Sequence, residues 1–436
     1  MVGAAEAPGA GEKRVSTREA AFIGVGAMVG AGIFSLLGSA GEVAGAAVWL
    51  SFVLAGIIAA LQGYSFARLG ARYPSAGGLL EYLNHGFGPG HVATVTAWLT
   101  YAANAIVTAM VAISFGSYAS SAVANNNAVA IKLFAIALVI VMTALNVAGS
   151  TFVAKVQSLI VFVVVGILAL FAVVTIANMN TSLLAPSGYP PARNIVSSVA
   201  LTFFAFLGFG VVTFTAKDLP NPHKQLPRAM TIAIGLAAAV YISVSLGVFG
   251  TLPVDQVVAS GATAIAVAAQ PVLGQAGYWL MSITALFATS GATNAGLYPA
   301  SGLCEHLAST GQFPPVMGSR VGGRVPMGLL LAAVVVIVMV ALFDLSSVAS
   351  IGSAVALTIF GLVTLGHLRV RSETGANLGI LLLAIITTGV TLVTFVFTTL
   401  IQEPASIAAL VGILVVSIAI DLGWSARRDR TQQQAA

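Results

Sequence analysis

The chain has 436 residues, of which 58% are apolar and only 7% are charged, and its net charge is +5. Soluble domains carry about 25% charged residues, so this composition excludes an ordinary soluble globular protein. The single cysteine, Cys304, excludes an intrachain disulfide, and the five histidines are scattered without ligand spacing, so we expect neither a metal nor a cofactor.

Twelve apolar runs follow a polar N-terminal stretch, residues 1–18, that lacks the apolar core of a signal peptide. Spanning a hydrocarbon core about 30 Å thick takes roughly 20 apolar residues in a helix. Backbone groups inside hydrocarbon must be bonded internally, so each run predicts a membrane helix. The predicted spans are 19–44, 47–70, 92–123, 128–147, 153–178, 194–217, 228–250, 276–303, 326–343, 347–368, 377–400 and 405–424.

The distribution of Lys and Arg predicts the orientation of these spans. Of the 18 Lys and Arg, all but Lys132 and Arg193 fall in segments on the same side as the N-terminus. Cytosolic loops carry the excess of positive charge, so both termini are predicted to be cytosolic in a multi-pass protein of the cell membrane. This topology accounts for the net charge better than nucleic-acid binding does.

Three short segments between spans have a mixed composition. Residues 74–87 and 303–314 are predicted as helices on the cytosolic side, and residues 253–274 as a possible lid over the outer mouth. Amphipathic packing against lipid headgroups is the alternative for all three, and the sequence alone leaves both interpretations open.

Spans one and six each contain glycines near the middle of the bilayer. Span one has Gly30-Ala31-Gly32, and span six has Gly208 and Gly210 beside Phe209. Glycine inside a helix costs about 1 kcal/mol relative to Ala and favours local unwinding. Unwound backbone at this depth is tolerated only where it is buried in protein or lines a cavity. The two sites lie five spans apart, an odd number, which predicts two inverted repeats with a site between their broken helices.

The broken helices predict a site for a zwitterion. The start of a half-helix offers N–H groups and a partial positive charge that suit a carboxylate, and the end of a half-helix offers carbonyls that suit an ammonium. We expect the N–H groups of residues 30–32 to bind the carboxylate and the carbonyls of residues 204–206 to bind the ammonium. Close helix packing is the alternative role for these glycines. The candidate substrate-binding residues are Val29, Gly30, Ala31, Gly32, Phe204, Ala205, Phe206, Gly208 and Phe209.

Several motifs resemble those of the amino acid–polyamine–organocation permeases. GAMVGAGIF in span one, FFAFLGF in span six, the loop at 217–230, the PSAGG stretch at 74–78 and the segment 294–314 occur in the family's order. The resemblance covers about residues 17–325. It implies an all-α integral membrane fold of about 12 helices, a five-plus-five inverted repeat (LeuT-like) with broken helices one and six and two added C-terminal helices. It also implies alternating access.

Division into domains follows from this pattern. We expect cytosolic tails at 1–18 and 425–436 and a transmembrane domain at 19–424. Within it, repeat one covers about 19–178, repeat two about 194–368, and the added helices about 377–424.

The chain departs from the family pattern at three positions. Val164 stands where many members have a span-five lysine, which leaves a proton-coupled mechanism by that route in doubt. Gly210 stands where many have an acidic residue, which argues against a cationic substrate side chain. Ser301-Gly302 replaces the usual Ser-Arg pair, and this change has no functional interpretation.

Polar residues within spans three and eight are candidates for the pocket or for cation ligands. Hydrogen bonding between helices is their alternative role. These residues are Tyr101, Asn104, Thr289, Ser290, Thr293 and Asn294.

The sequence therefore predicts a secondary active transporter (permease) for amino acids, with neutral ones favoured as substrates and H⁺ or Na⁺ as possible co-transported ions. An exporter or exchanger, an amine or polyamine carrier, and a non-transporting sensor on the same fold are the alternatives. No HExxH, GxSxG or paired buried carboxylates occur, so an enzyme is not expected.

Overall fold

The computed structural model describes residues 15–75, 78–88, 90–148, 151–309 and 311–435, most of them helical. The helices are α1 Thr17–Ala31, α2 Ile33–Ala44, α3 Val48–Arg72, α4 Leu79–Phe87, α5 His91–Val123, α6 Ala128–Ala148, α7 Thr151–Ala177, α8 Ala192–Phe204, α9 Pro222–Thr251, α10 Val254–Ser260, α11 Ala264–Ser309, α12 Met327–Leu342, α13 Leu345–Arg369, α14 Arg371–Thr374, α15 Leu378–Thr398 and α16 Pro404–Ala435. A 3₁₀ segment, Leu207–Asp218, follows α8, and a hairpin of β1 Arg320–Val321 and β2 Val325–Pro326 lies between α11 and α12.

Ten helical stretches of the described chain are long and apolar enough to cross a membrane. One of these, Ile33–Arg72, joins α2 to α3, and Met327–Leu342 is a shorter apolar helix. Helix covers each apolar run that the sequence predicted, and it extends beyond the run in α9, α11 and α16. The chain is therefore an all-helical, multi-pass integral membrane protein.

The prediction of a separate surface helix at 303–314 was wrong about where that segment begins. Residues 303–309 continue α11 without interruption, because Cys304 and Leu307 keep its buried face and Gly328 of α12 lies directly against Cys304. Beyond the helix, Phe313 is buried and stacks on Trp98 of α5 with ring centroids 3.7 Å apart. This segment is packed protein rather than a helix on the headgroups.

Helix α4 covers the chain between α3 and α5. Leu80, Tyr82 and Leu83 are buried, and Gly86 lies against the backbone of Gly366 in α13. The buried face shows that α4 packs on protein rather than lying only against lipid headgroups.

Residues 253–263 lie across α2. A Cβ placed on Gly38 of α2 would stand 2.6 Å from the Gly261 Cα, and Val257 of α10 is fully buried. Gly274, with φ +65°, separates this cover from the long part of α11. This segment therefore packs on protein, whereas its role as a lid stays a prediction.

We predict that Gly86→Ala lowers the stability of the protein. The added Cβ would stand 2.7 Å from the Gly366 Cα and carbonyl carbon, and backbone atoms cannot turn away as a side chain can. Overpacking of this kind costs about 1–3 kcal/mol. Thermal unfolding of the purified protein in detergent should show a lower Tm.

Gly361→Ala is the matched control, since its Cβ has only the Thr388 Cγ2, at 3.9 Å, within 4 Å. Both variants gain the helix propensity of Ala, so this gain cancels in the comparison. Equal Tm values for the two variants would show that the α4–α13 crossing is not tight.

Candidate functional site

Gly32 interrupts the first span. α1 ends at Ala31 and α2 begins at Ile33, with Gly32 between them at φ −87° and ψ −66°. The Gly32 N–H donates to the Met28 carbonyl at 2.9 Å, and the Gly32 carbonyl accepts bonds from the N–H groups of Ser35 and Leu36, both at 3.2 Å. The interruption is thus confined to one residue.

This geometry differs from the expectation for the N–H groups of residues 30–32. Gly30 and Ala31 lie inside α1, and the Gly32 N–H is already bonded to Met28. α2 begins at Ile33. The start of a helix leaves its first N–H groups without an acceptor in the same helix, and in α2 these include the N–H groups of Ile33 and Phe34. The side chain of Ala31 lies outside the described part of the chain.

Ala205 and Phe206 interrupt the sixth span. α8 ends at Phe204, and the following Leu207–Asp218 is 3₁₀-helical over 12 residues, although 3₁₀ runs longer than about 3–4 residues are uncommon. The Phe206 N–H donates to the Phe203 carbonyl at 2.9 Å, and the Phe209 N–H donates to the Phe206 carbonyl at 3.0 Å. Span six is therefore interrupted at Ala205 and Phe206, and Gly208 and Gly210 lie within the 3₁₀ segment that follows.

The two interruptions are in contact. A Cβ placed on Gly32 would stand 2.5 Å from the Ala205 Cβ and 2.9 Å from its Cα. A Cβ placed on Gly208 would stand 2.5 Å from the Ala27 carbonyl carbon and from the Met28 nitrogen. These glycines do serve close packing, the alternative role that the sequence left open, and the same packing brings the broken segments together.

Gly30 faces α11. A Cβ at Gly30 would stand 3.0 Å from both the Ala288 carbonyl oxygen and the Ala292 Cβ. Beside it, Val29, Val164 and Ala288 line a cavity of about 10 Å³, close to the room that one water needs. Val164, which stands where many members of the family have a lysine in span five, is therefore buried against span one.

Phe204 and Phe209 of the sixth span lie in different surroundings. Phe204 lies against Gly352 of α13, where an added Cβ would meet the Phe204 ring and also Ile106 of α5. Phe209 stacks edge-on against Phe66 and Phe360, with ring centroids 5.6 and 5.1 Å away. Phe209 thus belongs to an aromatic cluster, which favours a packing role for it.

Tyr241 of α9 is a residue of the site that the sequence analysis missed. Its hydroxyl donates to the Ala205 carbonyl at 3.0 Å and lies 2.8 Å from the point where a Cβ on Gly32 would stand. The side chain is fully buried. A lone tyrosine in an apolar span was the only available signal, and nothing in the sequence linked it to residues of spans one and six.

Tyr101 and Asn104 of α5 are used between helices. The Tyr101 hydroxyl donates to the Gly328 carbonyl at 2.8 Å, and the Asn104 amide donates to the Gly296 carbonyl at 2.6 Å. These bonds connect α5 to α12 and α11. They favour the interhelical role over a pocket role.

The polar residues of α11 are also engaged. The hydroxyls of Thr289, Ser290 and Thr293 each donate to the carbonyl four residues earlier, and the Asn294 side chain accepts a 2.8 Å bond from the Asn146 amide. The hydroxyl oxygens keep acceptor capacity in this arrangement. Asn294, by contrast, joins α11 to α6.

The chain has relatives among known proteins. Residues 15–420 match the family model described as "Amino acid permease". The chain is 31% identical over 412 residues to the inner membrane transport protein YbaT of Escherichia coli, with 94% of this chain and 96% of the relative covered. It is 33% identical over 376 residues to the uncharacterized protein MJ0609 of Methanocaldococcus jannaschii, with 86% of each covered. A match to the methylthioribose transporter of Bacillus subtilis has 26% identity over 257 residues and covers 55% of this chain and 56% of the relative.

We predict that Gly208→Ala destabilises the protein, while Gly210→Ala, two residues away on the same 3₁₀ segment, does not. The first Cβ would meet the backbone of α1 at 2.5 Å, and the second would have nothing within 4 Å. We expect Gly208→Ala to lower the free energy of unfolding by about 1–3 kcal/mol. Thermal unfolding of the two variants side by side measures the difference, and an unchanged Tm for Gly208→Ala would contradict the close contact between spans one and six.

Proposed function

Because the chain belongs to the amino acid permease family, we propose that it is a secondary transporter of amino acids, most readily of neutral ones. Its relatives are transporters, so a small-molecule substrate follows from the family. The family does not identify that substrate, since one relative is named as a methylthioribose transporter. The proposal for an amino acid therefore rests on the site.

The contact between the two interruptions carries this proposal. The start of α2 presents the N–H groups of Ile33 and Phe34, where a helix has partial positive charge, and this suits a carboxylate. The end of α8 presents the Ala205 carbonyl, which suits an ammonium. Gly32 and Ala205 touch, so the two interruptions lie side by side, which supports a shared site for both charged groups. An α-amino acid carries the same two charged groups on one carbon atom.

The preference for a neutral side chain is supported at Gly210. A Cβ at this position would have nothing within 4 Å, so there is room beside the interruption, and Gly210 itself offers no carboxylate to pair with a cationic substrate side chain. An ammonium or guanidinium brought to this depth without a partner would lose its hydration uncompensated. A carrier of amines or polyamines is the alternative that this position argues against.

The proposed architecture is the one that the family motifs imply. It has twelve crossings, inverted repeats at about 19–178 and 194–368, added helices at about 377–424, and both termini in the cytosol of a cell-membrane protein. The distribution of Lys and Arg supports this orientation.

Alternating access about the two interruptions is the proposed mechanism. Residues 253–263 cover α2, whose residues 33–41 are all buried. Opening toward the cytosol then requires movement of residues 207–218 and α1, and opening outward requires release of the lid.

Uptake and counterflow in proteoliposomes test the proposal. Purified protein is assayed with labelled L-alanine, L-leucine and L-phenylalanine, and with L-lysine and putrescine, under imposed H⁺ or Na⁺ gradients in either direction. We expect saturable transport of at least one neutral amino acid, and the gradients distinguish import, export and exchange. Transport of none of the three neutral amino acids would contradict the proposal.

We predict that Gly210→Glu shifts selectivity toward cationic amino acids. The added carboxylate enters open space and attracts the side-chain ammonium of a cationic amino acid. This interaction reaches a few kcal/mol at an effective dielectric constant of about 20. Competition of unlabelled L-lysine against labelled L-leucine should strengthen by about tenfold or more, equivalent to about 1.4 kcal/mol.

Gly210→Gln is the matched control, because it has nearly the same volume without the charge. We expect its ratio of lysine to leucine competition to equal that of the original chain. Identical ratios for the Glu and Gln variants would place Gly210 away from the substrate side chain.

A further inference from the structure

The Ala205 carbonyl has exchanged its helical donor for a side-chain donor. In a continuous α-helix the Phe209 N–H would bond to the Ala205 carbonyl four residues earlier. Here the Phe209 N–H bonds instead to the Phe206 carbonyl at 3.0 Å, and the Tyr241 hydroxyl donates to Ala205 at 3.0 Å. The direction of this carbonyl is therefore set by α9 and not by its own helix.

Two aromatic rings hold Tyr241 in place. Its ring meets Phe206 edge-on, with centroids 5.0 Å apart and an interplanar angle of 70°, and packs tilted against Phe52 of α3 at 5.3 Å. The side chain is fully buried. The hydroxyl consequently has little freedom to leave the Ala205 carbonyl.

The same hydroxyl also contacts the other interruption. It stands 2.8 Å from the position of a Cβ on Gly32, so a side chain there would collide with it as well as with Ala205. Gly32, Ala205 and Tyr241 thus form one unit that fixes the distance between the breaks in spans one and six.

A carbonyl oxygen has two lone pairs, and Tyr241 occupies one of them. We propose that the Tyr241 hydroxyl orients the Ala205 carbonyl so that its second lone pair accepts the substrate's ammonium, which makes Tyr241 a positioning residue for amine recognition. This inference rests on the proposed function, because it assigns a role within the same amino acid site. It predicts that the hydroxyl matters for ligands with an α-amino group and not for ligands without one.

The experiment compares each amino acid with its des-amino acid on purified protein. The pairs are L-alanine with propionate, L-leucine with 4-methylpentanoate, and L-phenylalanine with 3-phenylpropanoate, and affinities are measured by isothermal titration or by competition. Tyr241→Phe removes the hydroxyl and keeps the ring. We expect it to reduce the affinity ratio of amino acid to des-amino acid about five- to tenfold, the effect of one net hydrogen bond.

Tyr118→Phe is the matched control. Tyr118 is also fully buried, and its hydroxyl has no hydrogen-bond partner among the residues that the structure describes. We expect its affinity ratio to be unchanged. Phe52→Leu is a second variant that loosens the Tyr241 ring without removing the hydroxyl, and it should lower the ratio in the same direction by a smaller factor.

Each outcome decides between two claims. If Tyr241→Phe weakens both members of a pair equally, or neither, the positioning role is wrong even though the protein binds amino acids. If Tyr241→Phe does not fold, an unchanged ratio in Phe52→Leu has the same meaning. If the original chain binds no amino acid at all, the proposed function itself fails, and the two failures are distinguished by that measurement.

Discussion

The contact between Gly32 and Ala205 is the interaction on which the rest of the site depends. Inside a bilayer every backbone N–H and C=O must find a partner, and this requirement makes an interrupted helix costly unless neighbouring elements supply the missing bonds. The structure meets the requirement locally. Gly32 is bonded to Met28, the 3₁₀ turns bond Phe206 and Phe209, and Tyr241 supplies the donor that Ala205 has lost. The polar groups that remain near the contact are the ones available to a ligand.

Glycine makes this arrangement possible, and the packing role and the site role of these residues are therefore inseparable. Gly32 and Gly208 each remove a side chain that would collide with the opposite span, and Gly30 does the same toward α11. A van der Waals fit of backbone against backbone is the ordinary way in which membrane helices associate. Here the fit occurs at the two places where the helices are broken, so the packing itself brings the two interruptions together.

Much of the fold could be predicted from the sequence, because apolar length and charge are properties of local segments. The helical runs, the presence of an interruption in each of spans one and six, and the family are examples. The details of the site could not be predicted. The break falls at Gly32 rather than across residues 30–32, because the neighbouring Met28 carbonyl takes the Gly32 N–H. Likewise, Asn294 pairs with Asn146, 148 positions away, and Tyr241 meets Ala205 from another helix. Contacts at such separations depend on how the helices pack, and no local pattern in one sequence encodes them.

The central claim is that the two interruptions together recognise an α-amino acid by both of its charged groups. The most direct measurement is the thermal shift of purified protein with neutral L-amino acids, with their methyl esters, which lack the carboxylate, and with their N-acetyl derivatives, which lack the ammonium. The account predicts that at least one neutral amino acid raises the Tm and that its ester and its N-acetyl derivative do not. Equal stabilisation by the free amino acid and by either derivative, or no stabilisation by any neutral amino acid, would contradict it.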